Sequence, residues 1–153
     1  MFRVMESTII AAPPAQVFAV AADPHEQLEW DPGTLKSVEA LTPGPLRQGA
    51  RYRGNFKGFG VMEYDFAEYV PGARFAHHTV MKMGTIRHIF TFEAVPGGTR
   101  LRQEGQVSPN LLGRLLRPVM ARMLRRRFQV IGAELGQYLA APAEAPQPRA
   151  AAH

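Results

Sequence analysis

The sequence predicts an α+β fold in which a strongly curved antiparallel sheet of seven strands surrounds one long C-terminal helix. Between residues 34 and 107, short β-like segments alternate with breaks rich in glycine and proline, which is typical of an antiparallel meander. From about residue 110 to residue 140, apolar residues recur at steps of three and four, which indicates an amphipathic helix. The long helix would fill the concave side of the sheet.

The N-terminal part predicts one strand followed by two short helices. Met5–Ala11 is rich in β-branched residues and ends at consecutive prolines, so it predicts a strand. Pro14 is a favourable first helical residue, and Asp23-Pro24 ends the helix that it begins. A second short helix contains Trp30, the only tryptophan, and closes at Asp31-Pro32-Gly33. We expect the two helices to plug the open end of the curved sheet.

Six more strands are predicted between the turn signals TPGP, KGFG, PG, MG and PGG. They are Thr34–Leu41, Ala50–Phe56, Gly60–Val70, Arg74–Met83, Thr85–Val95 and Thr99–Val107. The final helix covers Asn110–Ala140, and Pro118 either kinks it or marks its true start. Residues 1–141 therefore predict a single domain, and the Ala/Pro-rich tail 142–153 predicts disorder.

Composition excludes several classes of protein. The chain has no cysteine, which excludes disulfides and thiolate chemistry. No apolar run reaches the roughly 18 residues of a membrane span, and the N-terminus does not resemble a signal peptide, so we expect a cytoplasmic protein. A nucleophile elbow, a phosphate loop and a dinucleotide fingerprint are all missing, and we expect no cofactor.

The net charge of +5 is local, because six arginines fall between Arg114 and Arg127. This basic amphipathic segment has two interpretations, a membrane-surface helix or a helix whose arginines simply face water while its apolar side covers the sheet. The second is favoured, and nucleic-acid binding is not expected because no recognition motif supports it. Some of the arginines Arg125–Arg127 would pair with Glu63, Asp65 or Glu68, or would flank the cavity and attract an acidic ligand.

Side-chain alternation predicts which residues line the concave face. A two-residue turn at Met83-Gly84 would place Lys82 opposite Thr85 and would make His77 and His88 diagonal neighbours on that face. The same argument, applied to the preceding strands and to the final helix, predicts a mostly apolar ligand-binding wall. Its members are Trp30, Tyr52, Phe56, Met62, Phe66, Phe75, Thr79, Met81, Ile86, Phe90, Met120 and Phe128.

Three polar residues of this wall are candidate catalytic groups: His77, His88 and Tyr64. Imidazole titrates near neutrality and suits acid–base chemistry, but core histidines bonded to neighbours are the commoner case. Two histidines without a third ligand make a poor metal site, so no metal is expected. Trp30 is interpreted as a structural plug at the cavity rim, with Glu29 and Asp31 beside it solvated or capping.

The chain resembles the START, polyketide-cyclase and pollen-allergen-like superfamily, often called SRPBCC, which has the helix-grip fold. The resemblance rests on STIIAAPPAQVFAVAADPHEQLEW, AEYVPGARF and FTFEAVPGGTRL and on the long final helix, and it extends over about Val4–Ala140. It implies the fold more strongly than the function, because this fold hosts carriers, cyclases, dehydratases and regulators.

Three functions remain open at this level. The first is binding of a hydrophobic or aromatic small molecule, such as a lipid or a polyketide- or isoprenoid-like compound, between the sheet and the final helix. The second is a cyclase, dehydratase or isomerase that moves protons with His77, His88 or Tyr64. The third is a regulatory or partner-binding domain that uses the basic helix. The expected oligomeric state is a monomer or a homodimer.

Overall fold

A computed structural model describes residues 1–140, and the predicted tail 142–153 lies outside them. The strands are β1 (Phe2–Ile10), β2 (Leu35–Ala40), β3 (Arg51–Phe56), β4 (Gly60–Val70), β5 (Arg74–Met81), β6 (Gly84–Val95) and β7 (Gly98–Pro109). The helices are α1 (Pro14–Ala22), α2 (Gln27–Trp30), α3 (Leu111–Leu115) and α4 (Arg117–Ala140). The strands form one sheet in the order β1-β7-β6-β5-β4-β3-β2, and all neighbours are antiparallel. The predicted α+β helix-grip fold is confirmed.

The turn between β5 and β6 lies one residue earlier than predicted, which shifts the pairing register of the two strands by two residues. Met81 pairs with Gly84, so the turn consists of Lys82 and Met83. Gly84 belongs to the sheet, where a Cβ atom would lie 2.3 Å from the carbonyl oxygen of Ser108, so only glycine fits beside β7. Because the shift is even, every side chain keeps its predicted face. The shift nevertheless changes one neighbour, since His77 now lies directly opposite His88 instead of diagonally.

The C-terminal helix is interrupted at Leu116, between α3 and α4. The Asn110 side chain accepts a hydrogen bond from the Gly113 amide at 3.0 Å and so caps α3. Pro118 is the second residue of α4, where its missing N–H leaves no intrahelical bond unmade, so it marks the start of the long helix. No helix within residues 1–140 is long and apolar enough to span a membrane.

The buried core forms two clusters, one on each side of the middle of α4. The larger contains Phe66, Phe75 and Phe92 with Leu135 of α4. The smaller contains Phe2, Val4 and Val107 with Met120, Leu124 and Phe128. Because α4 contributes to both, its position on the sheet determines the shape of the space between the clusters.

Gly132 allows α4 to approach β1 closely. A Cβ atom at this position would lie 2.5 Å from the Thr8 hydroxyl oxygen. Gly136, one turn later, has no atom within 4 Å of its Cβ position. Close approach to the sheet therefore requires glycine at position 132 but not at position 136.

Gly132→Ala is expected to lower the free energy of unfolding by about 1–3 kcal/mol, because the added methyl group overpacks the contact with Thr8. The matched control is Gly136→Ala, which is expected to be neutral or to stabilise by up to about 1 kcal/mol through helix propensity. Urea unfolding of both variants would measure the difference. Equal effects of the two substitutions would contradict the assignment of Gly132 as the contact point.

Candidate functional site

A cavity of about 120 Å³ lies between the concave face of the sheet and α4. The sheet supplies aromatic, methionine and histidine side chains, α4 supplies Leu124, Phe128 and Ile131, and α1 and α2 close the side nearest Trp30. Its wall is apolar apart from a few polar groups, which is the composition of a small-molecule site. The predicted residues that line it are Trp30, Phe56, Met62, Tyr64, His77, Thr79, Met81, Ile86, His88, Phe90 and Phe128.

Four predicted residues lie outside the cavity wall. Tyr52, Phe66 and Phe75 are buried within the larger core cluster, and Met120 is buried in the smaller one. All four are buried, as predicted for the interior, but none of them lines the cavity. The sequence pattern predicted correctly that these side chains face inward. It could not predict which part of the concave face borders empty space.

Six other wall residues were not among the residues predicted to bind a ligand. They are Ala21, Gln27, Phe59, Leu124, Arg127 and Ile131. Leu124 and Ile131 stand four residues before and three after Phe128, so helical spacing from that predicted residue could have found them. Gln27 depends on a long-range contact described below, which has no local signal. Arg127 belongs to the arginine triplet for which a place beside the cavity was one of the predicted alternatives.

Two buried polar atoms of the wall lack hydrogen-bond partners among the described residues: the Tyr64 hydroxyl and His77 Nε2. The two rings are adjacent on β4 and β5, with centroids 4.7 Å apart. Phe66 and Phe75 flank His77 at centroid distances of 4.7 and 5.2 Å and keep its surroundings apolar. The two groups form a polar site within an apolar wall. Leaving a buried polar group without a hydrogen bond costs free energy, so a partner at this site would be favourable.

Burial keeps both of these groups neutral. It lowers the pKa of His77 to about 3, because the charged imidazolium is poorly solvated in the wall. Burial likewise raises the pKa of the Tyr64 phenol. The pair therefore presents a neutral hydroxyl and a neutral imidazole, which can exchange hydrogen bonds with a bound polar group.

The tautomer of His88 follows from its neighbours. The Gln103 side-chain amide donates to the Phe128 carbonyl at 2.8 Å, which leaves the Gln103 Oε1 atom as an acceptor. His88 Nε2 lies 3.0 Å from that oxygen and must therefore carry the proton. The His88 ring also stacks on Phe128, with centroids 4.2 Å apart. Burial lowers the pKa of His88 well below its usual value, so this ring is neutral as well.

A buried ion pair joins the end of α2 to the middle of α4. Asp31 is 0% exposed, and its carboxylate accepts hydrogen bonds from both terminal nitrogens of the Arg127 guanidinium. Gln27 donates to the same carboxylate at 2.9 Å. Asp31 occupies the C-cap position of α2, as one of its two predicted roles required, but the expectation that it is solvated is wrong, because a partner from α4, distant in sequence, takes it out of water. Arg127 and Gln27 also line the cavity.

The predicted partners of the arginine triplet are wrong for a related reason. Arg127 binds Asp31, and Arg125 lies 3.5 Å from Glu6 of β1. The three acids proposed as partners point from the outer face of the sheet and bind groups of that face instead. Glu63 binds Arg51 and Arg53, Asp65 lies beside His78, and Glu68 binds Arg74 and Arg87.

A third acidic group, Glu134, borders this ion pair. Burial, followed by the nearby Asp31 carboxylate, raises the pKa of Glu134 to about 7. Burial also raises the pKa of Asp31, but the Arg127 guanidinium outweighs it and holds that pKa below its usual value. The pair Asp31 and Arg127 is therefore charged at neutral pH, while Glu134 is partly protonated. Among residues 1–140, no group of three or more acidic or histidine side chains is arranged to hold a metal ion.

Comparison with known proteins assigns the family. Residues 1–139 match the family described as "Polyketide cyclase / dehydrase and lipid transport". The chain belongs to this family. No curated protein matches it.

Solved structures of low sequence identity share the fold. MLL2253 from Mesorhizobium loti is 18% identical with a TM-score of 0.72, over 91% of this chain and 97% of that one. TTHA0849 from Thermus thermophilus is 16% identical with a TM-score of 0.73, over 94% and 100%. The Aha1 dimer from Colwellia psychrerythraea is 14% identical with a TM-score of 0.66, over 89% and 94%. At these identities the similarity supports the fold alone.

His77→Gln is expected to weaken the acid sensitivity of the fold. The pKa of His77 is about 3 in the folded state, below the roughly 6.5 of an unfolded chain, so the unfolded chain binds its proton first as the pH falls. The contribution of neutral His77 to stability is therefore complete above about pH 6.5 and is lost progressively towards about pH 3. Urea midpoints across this range would fall less steeply in His77→Gln than in the wild type. The control is His78→Gln on the outer face, and parallel curves for wild type and His77→Gln would contradict the prediction.

Arg127→Met is expected to destabilise the protein by about 3–5 kcal/mol, because it leaves the Asp31 carboxylate buried without its counter-ion. The adjacent exposed position supplies the control, Arg126→Met, which is expected to change stability by less than about 0.5 kcal/mol. Adding Asp31→Asn to Arg127→Met is expected to recover part of the loss, since it removes the uncompensated charge. Denaturant unfolding measures all three, and a double variant no more stable than Arg127→Met would argue against charge burial as the cause.

Proposed function

We propose that the protein binds a compact, mainly apolar small molecule that carries an oxygen function, in the cavity between the sheet and α4. One observation carries the proposal: the Tyr64 hydroxyl and His77 Nε2 are buried in an apolar wall without partners among the described residues. A ligand hydroxyl or carbonyl placed between them would restore the hydrogen bonds that the folded chain leaves unmade.

The energetics favour such a ligand over a pure hydrocarbon. Each unsatisfied buried polar group costs about 1–3 kcal/mol. A ligand carbonyl that accepts from the Tyr64 hydroxyl recovers part of this cost, while its apolar body contacts Phe90, Phe128 and Ile131. Arg127 and Gln27 add polar groups to the same wall, but Asp31 already engages both of them. Tyr64 and His77 therefore hold the buried polar atoms of the wall that lack a partner among the described residues.

The size of the cavity further restricts the class of ligand that it can hold. Sites for drug-sized molecules have volumes of about 300–1,000 Å³, whereas a cavity of about 150 Å³ holds benzene. The present volume of about 120 Å³ suits a single ring or a short branched chain. Among lipid-, polyketide- and isoprenoid-like compounds, this favours one-ring aromatic or short isoprenoid molecules over long acyl chains.

A second candidate is a cyclase- or dehydratase-type enzyme that uses His77, His88 and Tyr64 in the same cavity. The family description and the adjacency of Tyr64 to His77 support it. The lowered pKa of both histidines argues against it, because burial makes each imidazole a weaker base than a free histidine. Binding without turnover is therefore the first choice. Incubation with ligand followed by mass spectrometry distinguishes the two, since a dehydratase product would have lost the mass of water.

Acetophenone and ethylbenzene form a matched pair of probes, because each has one ring and only the first has an oxygen atom. Trp30 is the only tryptophan and lines the cavity, so its fluorescence reports occupancy directly. Wild-type protein is expected to bind acetophenone about tenfold more tightly than ethylbenzene, through hydrogen bonds to Tyr64 and His77. Tyr64→Phe is expected to reduce or abolish this preference.

The matched control is Tyr69→Phe, since Tyr69 packs against the core but does not line the cavity. It is expected to retain the wild-type preference. Equal affinity of the wild-type protein for the two probes would contradict the role given to the polar pair. If neither probe changed Trp30 emission, the cavity would not bind compact aromatic molecules and the proposal would fail.

A further inference from the structure

Five apolar side chains of α3 and the first turns of α4 are exposed to solvent; we refer to them as the apolar tip. They are Leu111, Leu112, Leu115, Leu116 and Val119. The three most exposed, at 74%, 74% and 63%, are Leu111, Leu115 and Val119. Leu111 and Leu115 are four residues apart and share one side of α3, and Val119 lies in the first turn of α4. The sequence analysis favoured a helix whose apolar side covers the sheet. Most of α4 does cover the sheet with its apolar side, but the five side chains of the apolar tip face solvent instead.

Basic residues surround the apolar tip. Residues 105–133 contain six arginines and no acidic residue. Arg122 and Arg126 continue the side of the helix that carries Leu115 and Val119, one and two turns further along. Together with Arg125 and Gln129 they line a shallow surface groove. The apolar tip is thus followed directly by a cluster of cations along the helix axis.

The sheet adds further cations at the same end of the molecule. The β3–β4 and β5–β6 turns lie at one end of the antiparallel sheet, the end from which β7 leads into α3. These turns carry Lys57 and Lys82, both exposed. The Asn110 side-chain amide donates to the Lys82 carbonyl at 2.8 Å, and the Asn110 backbone amide donates to the Met83 carbonyl at 3.0 Å. These bonds hold the start of α3 against the sheet, so the apolar tip is presented on a fixed surface.

We propose that the apolar tip and its arginines dock the protein onto the surface of an anionic lipid bilayer. Leucine and valine side chains would enter the boundary between headgroups and acyl chains, to a depth of about 5–10 Å for interfacial helices. Arg122 and Arg126, one to two turns behind them, would lie at the level of the lipid phosphates. The inference does not depend on which molecule the cavity holds.

Charge favours a bilayer over a second copy of the chain as the occupant of this surface. In a two-fold dimer formed through the apolar tip, the arginines next to the tip would face the same arginines of the other copy. Residues 105–133 contain no acidic side chain that could neutralise this repulsion. An anionic bilayer supplies both an apolar layer and negative charge. Docking at this end would also bring the cavity close to the lipid, because Met81, at the end of β5, and Leu124 of α4 both line it.

Vesicle flotation tests the inference with the full chain. Wild-type protein is expected to bind vesicles of equimolar phosphatidylcholine and phosphatidylserine, and to bind pure phosphatidylcholine vesicles at least about tenfold more weakly. Binding to the anionic vesicles is expected to fall as salt is raised. Leu111→Gln combined with Leu115→Gln is expected to lower the partition coefficient at least about tenfold through lost insertion. Arg122→Gln combined with Arg126→Gln is expected to lower it by a similar factor and to flatten the salt dependence.

The matched controls change exposed residues at the other end of the sheet and on its outer face. Ile9→Gln removes an exposed apolar side chain, and Arg102→Gln removes an exposed charge, so both are expected to bind vesicles like the wild type. Wild-type-like binding by the leucine variant would overturn the inference, as would equal binding to both vesicle types. A third outcome would also overturn it: the wild-type protein does not bind vesicles but forms a dimer, and the double variant Leu111→Gln with Leu115→Gln is monomeric. The apolar tip would then bind a second copy of the chain.

Discussion

The ion pair between Asp31 and Arg127 holds together the two parts of the chain that close the cavity. Asp31 follows α2, Arg127 is in the middle of α4, and the pair is shielded from water, with exposed side-chain fractions of 0% and 15%. A charge buried in this way must keep its partner, so the helix cannot rotate or slide without a large loss of free energy. The Tyr138 hydroxyl, which donates to Glu26 at 2.7 Å, adds a second link between the same regions. The position of Phe128 and Ile131 in the cavity wall follows from this constraint.

The polar groups of the cavity are neutral because the walls around them are apolar. Phe66, Phe75 and Phe90 surround His77, and Phe128 stacks on His88. In such surroundings a charged imidazole loses more hydration energy than its neighbours return. The result is a set of hydrogen-bonding groups suited to recognition of an uncharged oxygen function. Charge in this site is confined to the region of Arg127, where Asp31 balances it.

Helix α4 serves different purposes along its length because its surroundings change. Its first turn carries the exposed Val119, which belongs to the apolar tip together with the leucines of α3. Its middle supplies Leu124 and Phe128 to the cavity wall, and Gly132 then brings the backbone against Thr8 of β1. The close contact at Gly132 draws the helix towards β1, while the cavity lies on the side facing β4, β5 and β6. An apolar helix that lies nearer one edge of a curved sheet leaves space towards the other.

Local sequence signals determined the secondary structure, the antiparallel order and the side of each strand that faces inward. Alternation placed His77, His88 and Tyr64 on the concave face, and this assignment survived a two-residue error in the β5–β6 register because the side-chain period is two. Helical spacing likewise indicated the buried side of α4. These properties depend on residues close together in the chain, where turn chemistry and periodicity act.

Only the tertiary structure decided which inward residues border empty space and which are packed. Tyr52, Phe66 and Phe75 belong to the same predicted face as Tyr64, yet they are packed in the larger core cluster, where Phe18 of α1 contacts Phe75. The burial of Asp31 and its pairing with Arg127 were equally unpredictable, since 96 residues separate the two partners and neither position has a local motif. The register that sets His77 opposite His88 depended on Gly84 fitting against the backbone of β7. Contacts between distant segments, formed only when the helix closes on the sheet, therefore decide the site, whereas local periodicity decides the fold.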